Sequence, residues 1–217
     1  QTWNNLGYAY LKLERFSDAI DAYREALRIN PDDTAACNNL GIAYRSLERY
    51  KDAVKAYREA LRINPGDYKA WNNLGYAYFK LERYKDVIEA YRQALGINPD
   101  DADVWKNLGN AYDKLERYND AIDAYRQVLR INPDDAAARY SLGIAHYNLE
   151  HYSDAVNAYR ESLRVKPDDA DVWKNLGIAY RNLERKNEAI EAYREALCIN
   201  PEDDDAWNSL GNAYRKM

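Results

Sequence analysis

Residues 71–99 read WNNLGYAYFKLERYKDVIEAYRQALGINP, and this stretch decides the fold. Trp71, Leu74, Gly75 and Tyr78 fall at i, i+3, i+4 and i+7, which puts them on one stripe of an α-helix. Val87, Ile88, Tyr91, Ala94 and Leu95 make a second such stripe. Between the two lies a short turn at Glu82-Arg83. Asn98-Pro99 ends the second helix, because proline lacks the amide proton and disfavours helix in the residue before it. Asp100 and Asp101 follow, suited to cap the next helix and to complement its dipole. Small Gly75 and Ala77 are expected to let two helix backbones approach, with Trp71 and Tyr91 filling the space around them.

The same stretch recurs along the chain. The six prolines, Pro31, Pro65, Pro99, Pro133, Pro167 and Pro201, are each 34 residues apart. Trp3, Trp71, Trp105, Trp173 and Trp207 keep the same clock, with Cys37 and Arg139 at the two remaining turns. Seven of the nine glycines, Gly7, Gly41, Gly75, Gly109, Gly143, Gly177 and Gly211, keep it too. The expected organisation is one array over 1–217, with units at 1–33, 34–67, 68–101, 102–135, 136–169 and 170–203 and a terminal helix at 204–217. A unit this short buries its apolar face only against its neighbours.

These residues resemble the tetratricopeptide repeat. The pattern Trp-x-x-Leu-Gly-x-x-Tyr, followed by Ala, Tyr, Ala and Pro, reads in the fourth unit as Trp105, Leu108, Gly109, Tyr112, Ala121, Tyr125 and Pro133, with Val128 at the small position. The resemblance implies an all-α, right-handed superhelical solenoid of stacked antiparallel helix pairs. The first helix of each pair would line a concave groove that binds a peptide or another protein.

Composition narrows the function. Of 217 residues, 31 are basic and 36 acidic, a net charge of −5 and a poor footprint for nucleic-acid binding. No run approaches the ~18 consecutive apolar residues of a membrane span, so membrane insertion is not expected. The N-terminal Gln-Thr-Trp-Asn carries no signal peptide and no initiator Met, so a cytoplasmic segment of a longer chain is expected. Cys37 and Cys198 make no disulfide framework. There is no GxGxxG, P-loop, GxSxG or HExxH, and no enzyme activity or cofactor is expected of this segment. His146 and His151 lie five apart across a helix end, a poor spacing for joint metal ligation.

Comparing the units separates scaffold from surface. Sixteen of the 21 tyrosines occupy three recurring positions, those of Tyr44, Tyr50 and Tyr57, and these with the five tryptophans are expected in the core. Tyr8, Tyr68, Tyr76, Tyr140 and Tyr147 are left over. All but Tyr68 fall in registers that, by the resemblance, face the groove. Those registers run from Gln1 to Lys216 and hold ten basic and four acidic residues, net +6, against −11 for the rest of the chain. A groove of opposite sign to its rim steers an acidic segment inward. Expected charge contacts are Arg45, Lys69, Lys80, Lys106, Lys174 and Arg181; expected side-chain contacts are Tyr76, Phe79, Tyr140 and Tyr147, with Asn110 beside Lys106.

Asn5, Asn39, Asn73, Asn107 and Asn175 share one further register, completed by Ser141 and Ser209. An amide offers both donor and acceptor. The ladder resembles that of the superhelical part of O-linked N-acetylglucosamine transferase, where it would hold a peptide backbone. The same register equally suits local backbone satisfaction. A chaperone-type carboxylate clamp is disfavoured: Lys106 and Asn110 match, but Ser141, Asp171 and Asn175 stand where Asn, Lys and Arg are wanted, and Asp171 would repel a carboxylate.

Two other functions remain open. Trp207, Leu210 and Tyr214 on the terminal helix would support self-association, and the array would also serve as the recognition arm of a larger enzyme. The fifth unit departs most from the template, with Arg139, His146, Ser162 and Lys166, as a hinge, as a contact patch or as drift.

Overall fold

The computed structural model describes residues 2–215. Gln1 and Lys216, the outermost groove-register residues, lie outside the described residues. The helices are α1 (Thr2–Lys12), α2 (Phe16–Ile29), α3 (Thr34–Ser46), α4 (Tyr50–Ile63), α5 (Tyr68–Lys80), α6 (Tyr84–Ile97), α7 (Ala102–Lys114), α8 (Tyr118–Ile131), α9 (Ala136–Asn148), α10 (Tyr152–Val165), α11 (Ala170–Asn182), α12 (Lys186–Ile199) and α13 (Asp204–Arg215). No strand occurs among the described residues. The all-α class and the helix pairs expected at each 34-residue step are both present.

Two compact units divide the chain, Gln1–Ala111 and Tyr112–Met217. In the first, each of α1 to α5 packs on its successor, and α3 also adjoins α1 and α5. In the second, α8 to α13 pack in the same serial way, and α11 adjoins α13.

Local rules set the boundaries. The Asp two residues after each proline caps the helix that follows: the Ala36, Ala70, Val104, Ala138, Val172 and Ala206 amides donate to Asp33, Asp67, Asp101, Asp135, Asp169 and Asp203 at 2.8–3.4 Å. Each such cap contributes about 1 kcal/mol.

The turn within each pair is a Schellman motif. Glu14, Glu48, Glu82, Glu116, Glu150 and Glu184 all have φ between 56° and 60°. In the third repeat the Glu82 amide donates to the Phe79 carbonyl at 3.0 Å and the Arg83 amide to the Tyr78 carbonyl at 3.0 Å. Glutamate in the left-handed region is strained by roughly 1 kcal/mol, which the two bonds and the packing of the flanking helices offset.

Each helix pair buries a tyrosine in its core. Tyr23, Tyr57, Tyr91, Tyr125, Tyr159 and Tyr193 are all at most 2% exposed. The paired glycines make room for rings rather than for a neighbouring backbone: a Cβ on Gly75 would meet the Tyr91 ring at 2.5 Å. Tryptophan is not core, contrary to the expectation from its repeat. Trp3 and Trp207 are exposed, and Trp71, Trp105 and Trp173 are half-buried. The indole Nε1–H of Trp71, Trp105, Trp173 and Trp207 donates at 2.8 Å to the carbonyl of Pro65, Pro99, Pro167 and Pro201. A ring that must reach a loop carbonyl with its polar edge stays at the rim of the core. The turn substituted by cysteine fits the trade, since Cys37, which has no such donor, is fully buried.

Candidate functional site

In the first unit the predicted face comes together around Tyr76 on α5. Its ring is 38% exposed, with the Arg45 guanidinium of α3 centred 5.5 Å from it and the Lys80 ammonium 5.6 Å from it. Arg45 Nη1 also donates to Asn73 Oδ1 at 2.8 Å. One residue of the asparagine ladder is therefore tied to a residue of the basic set, and what Asn73 has left to offer a ligand is its amide N–H₂. Lys69 is exposed at the start of the same helix. Phe79 is half-buried, its ring set edge-on against Tyr84 at 5.7 Å. On α3, Asn38 buries a side-chain oxygen that meets no hydrogen-bond donor.

The ladder is uneven. Asn5 is exposed and Asn39, Asn73, Asn107 and Asn175 are half-buried. Asn39 approaches the hydroxyl of the buried Tyr23, which makes no full hydrogen bond. Ser209 stands in the same relation to Tyr193, and Ser141 lies against the Tyr125 hydroxyl. The register thus borders the buried tyrosine hydroxyls, which need a polar neighbour. Asn175 donates to the Tyr140 hydroxyl at 2.7 Å. On the far side of the first unit, Lys106 on α7 lies 3.4 Å from Asp103, and Asn110 is half-buried on the same helix.

In the second unit the charge reading changes. Lys174 is bound to Asp203 at 2.7 Å and lies 3.3 Å from Asp171, its side chain only 20% exposed. The hydrogen bond to Asp203 raises the Lys174 pKa, and the same bond, helped by the Ala206 amide, holds the Asp203 carboxyl below the usual range. Lys174 is a structural cation linking α11 to the cap of α13, not the open charge contact its register suggests. Arg181 remains exposed and, with Asn212 and Arg215, lines a cavity of about 530 Å³. Tyr147 accepts a hydrogen bond from Asn182 at 3.0 Å and packs on Tyr152 at 5.3 Å. Tyr140 packs on Tyr159 at 5.9 Å. Asp113 is half-buried, and loss of water raises its pKa. Tyr68, outside the groove registers, donates its hydroxyl to Asp101.

A second recess was not legible in the sequence. Arg58, Arg62, Trp71, Leu74, Tyr78 and Glu89 line a cleft of about 350 Å³ in the first unit. Their equivalents Arg160, Arg164, Trp173, Leu176, Tyr180 and Glu191 line one of about 660 Å³ in the second. Both use the tryptophan that an all-core reading removes from the surface.

The comparisons agree on the fold. The family model for the cilia and flagella-associated protein 70 C-terminal domain, itself a tetratricopeptide-repeat domain, matches residues 1–171, and that for the tetratricopeptide repeat matches residues 141–206. No curated protein matches significantly. Among solved structures, YrrB, described as a tetratricopeptide-repeat protein with an unusual peptide-binding site, superposes with a TM-score of 0.78 at 23% identity, over 91% of this chain and 100% of its own. MamA from Desulfovibrio magneticus RS-1 gives 0.71 at 21% identity, over 77% of this chain and 95% of its own. The APC/C hetero-tetramer Cut9-Hcn1 gives 0.62 at 22% identity, over 98% of this chain and 42% of the matched one. At these identities the likeness is one of fold.

Proposed function

The chain belongs to the tetratricopeptide repeat family, and from that premise we propose that it is a protein-interaction scaffold that binds an extended acidic peptide on the face of its first helices, in the first unit. The observation that carries this reading is Tyr76, an exposed ring flanked by Arg45 and Lys80. Its ring offers a flat apolar surface and the two cations offer charge, the combination that an acidic segment with an intervening apolar side chain requires. The groove registers of this unit carry Lys12, Arg45, Lys69, Lys80 and Lys106 against Asp103 alone. Those of the second unit mix signs, and Lys174 is already neutralised. YrrB, of the same fold, is described as binding a peptide, which supports the class of ligand. Asn39, Asn73 and Asn107 would add backbone contacts. The single array over 1–217 belongs to the same proposal.

The test is a random peptide library panned against the chain and against Arg45→Ala and Tyr76→Ala variants. An acidic consensus that weakens in both variants and with added salt supports the reading. A consensus indifferent to both substitutions, or no enrichment, overturns it.

Self-association is a second reading, favoured by one observation: Trp3, Leu6 and Tyr8 on α1 and Trp207 and Tyr214 on α13 are exposed large apolar side chains. Light scattering tests it, a concentration-independent monomer mass being the adverse result.

A further inference from the structure

One corner of the molecule departs from the template in a chemically coherent way. At five of the six turns within helix pairs, a tyrosine, an arginine and an acid meet. Arg15 stacks on Tyr10 at 4.6 Å and pairs with Asp18 at 2.7 Å. Arg49 does so with Tyr44 and Asp52 at 4.7 and 2.7 Å, and Arg83 with Tyr78 and Asp86 at 4.6 and 2.9 Å. Arg117 repeats it on Tyr112 and Asp120 at 4.7 and 2.8 Å, as does Arg185 on Tyr180 and Glu188 at 4.6 and 2.8 Å. At the remaining turn, between α9 and α10, the aromatic and the cation are both histidine, His146 and His151, and the acid is kept as Asp154.

The substitution turns a stacked ion pair into three metal-ligand side chains. The Schellman turn sets their geometry. The His151 amide donates to the His146 carbonyl at 2.9 Å and Glu150 takes φ 60°, a motif that brings the side chains at its two ends together. The five-residue separation that argues against joint ligation along a helix is thereby folded back. The imidazole rings lie 6.1 Å apart, and one ligand atom from each of His146, His151 and Asp154 falls within 4.8 Å of the others.

His146 supplies an independent sign. It is 9% exposed, and its Nδ1 is buried without a hydrogen-bond partner. A buried polar nitrogen with no partner is unfavourable and calls for an occupant. His151 and Asp154 are exposed, so they are free to close on an ion and give it a path from solvent.

We propose that His146, His151 and Asp154 form a three-ligand site for a borderline divalent transition-metal ion, Zn²⁺ foremost, joining the end of α9 to the start of α10. Two imidazole nitrogens and one carboxylate oxygen at about 2.0–2.2 Å suit zinc, with water completing the tetrahedron. Harder Mg²⁺ and Ca²⁺ prefer all-oxygen sites and are excluded by the donor set. His151 and Asp154, being exposed, are the side chains that would turn toward the buried His146 to reach zinc distances.

The experiment uses the tag-free, metal-stripped 217-residue chain. Zn²⁺ is titrated by calorimetry and Co²⁺ by visible absorption, whose intensity reports tetrahedral ligation. The expected result is one ion per chain at micromolar protein and a higher melting temperature with metal present. The control is His146→Tyr with His151→Arg, which restores the pair found at the other five turns and so suits the fold. It should weaken binding at least ~100-fold, since two ligands are lost. If circular dichroism finds the double variant unfolded, His151→Arg alone, at an exposed position, decides the matter by the same loss. Absence of binding overturns the proposal. So does binding that survives His151→Arg, which would place the ion on an acidic run such as Glu202–Asp205.

Discussion

Tyr91 lays its ring over Gly75 so closely that a Cβ there would stand 2.5 Å from ring carbon Cε1. The pair explains why glycine and tyrosine recur in step sixteen residues apart: one vacates the volume that the other fills. Gly75→Ala is expected to destabilise by about 1–3 kcal/mol through overpacking. Gly96, also helical, has nothing within 4 Å of such a Cβ, so Gly96→Ala should be neutral or stabilising by up to ~1 kcal/mol. Urea unfolding of the two variants measures the difference, and equal destabilisation would count against ring seating as the cause.

Alkali should loosen the core in a defined window. Burial raises the pKa of the six core tyrosines, that of Tyr23 to about 12 and the others upward as well. An unfolded tyrosine ionises near ~10, so above that pH the unfolded chain sheds protons that the folded chain keeps. Their contribution is complete below pH ~10 and is lost as the pH climbs through the folded values. Melting temperatures from pH 8 upward, read with tyrosinate absorbance, should fall as ionisation becomes cooperative with unfolding.

Asp203 serves α13 twice, by accepting from the Ala206 amide at 3.0 Å and by pairing with Lys174 at 2.7 Å. Its depressed pKa means that this support is present above the unfolded carboxylate value and is lost as pH falls through the lower folded value. Asp203→Ala should cost about 0.5–2 kcal/mol, confined to α13. Hydrogen exchange that speeds up equally in α9 would refute that localisation.

Trp173→Phe removes the indole donor to the Pro167 carbonyl while leaving most of the ring. The expected loss is about 0.5–1.5 kcal/mol, with faster exchange in the loop that leads into α11. No change in either would mean that the tryptophan serves the neighbouring cleft rather than the loop.

Much of the fold is legible in residues such as Pro99, Asp101 and Leu108, because each acts through rules that span only a few residues. Proline stops a helix, aspartate caps one, and apolar spacing selects the buried stripe. Repetition then reports the stacking, since a stripe that recurs every 34 residues must be covered by the next copy. Tryptophan misled the reading because burial and hydrogen bonding compete in one side chain, and the bond to the proline carbonyl holds it at the rim. Glu82 gave no sign of its left-handed backbone, which glycine would have announced.

The candidate site was legible as a set of registers but not as a set of contacts. Arg45 reaches Asn73 across 28 positions, Lys174 reaches Asp203 across 29, and Asn175 reaches Tyr140 across 35. Each pairing depends on which long side chain the next repeat presents within about 3 Å, the span of a hydrogen bond, a distance far finer than a repeat period resolves. The order of helices and their buried faces thus follows from local backbone chemistry written in every unit. Which long side chain finds a partner, as Lys174 does in Asp203, is set only when neighbouring repeats close upon one another, and which histidines meet is set by the turn within one helix pair, because short-range electrostatics and hydrogen bonding have no meaning until those side chains touch.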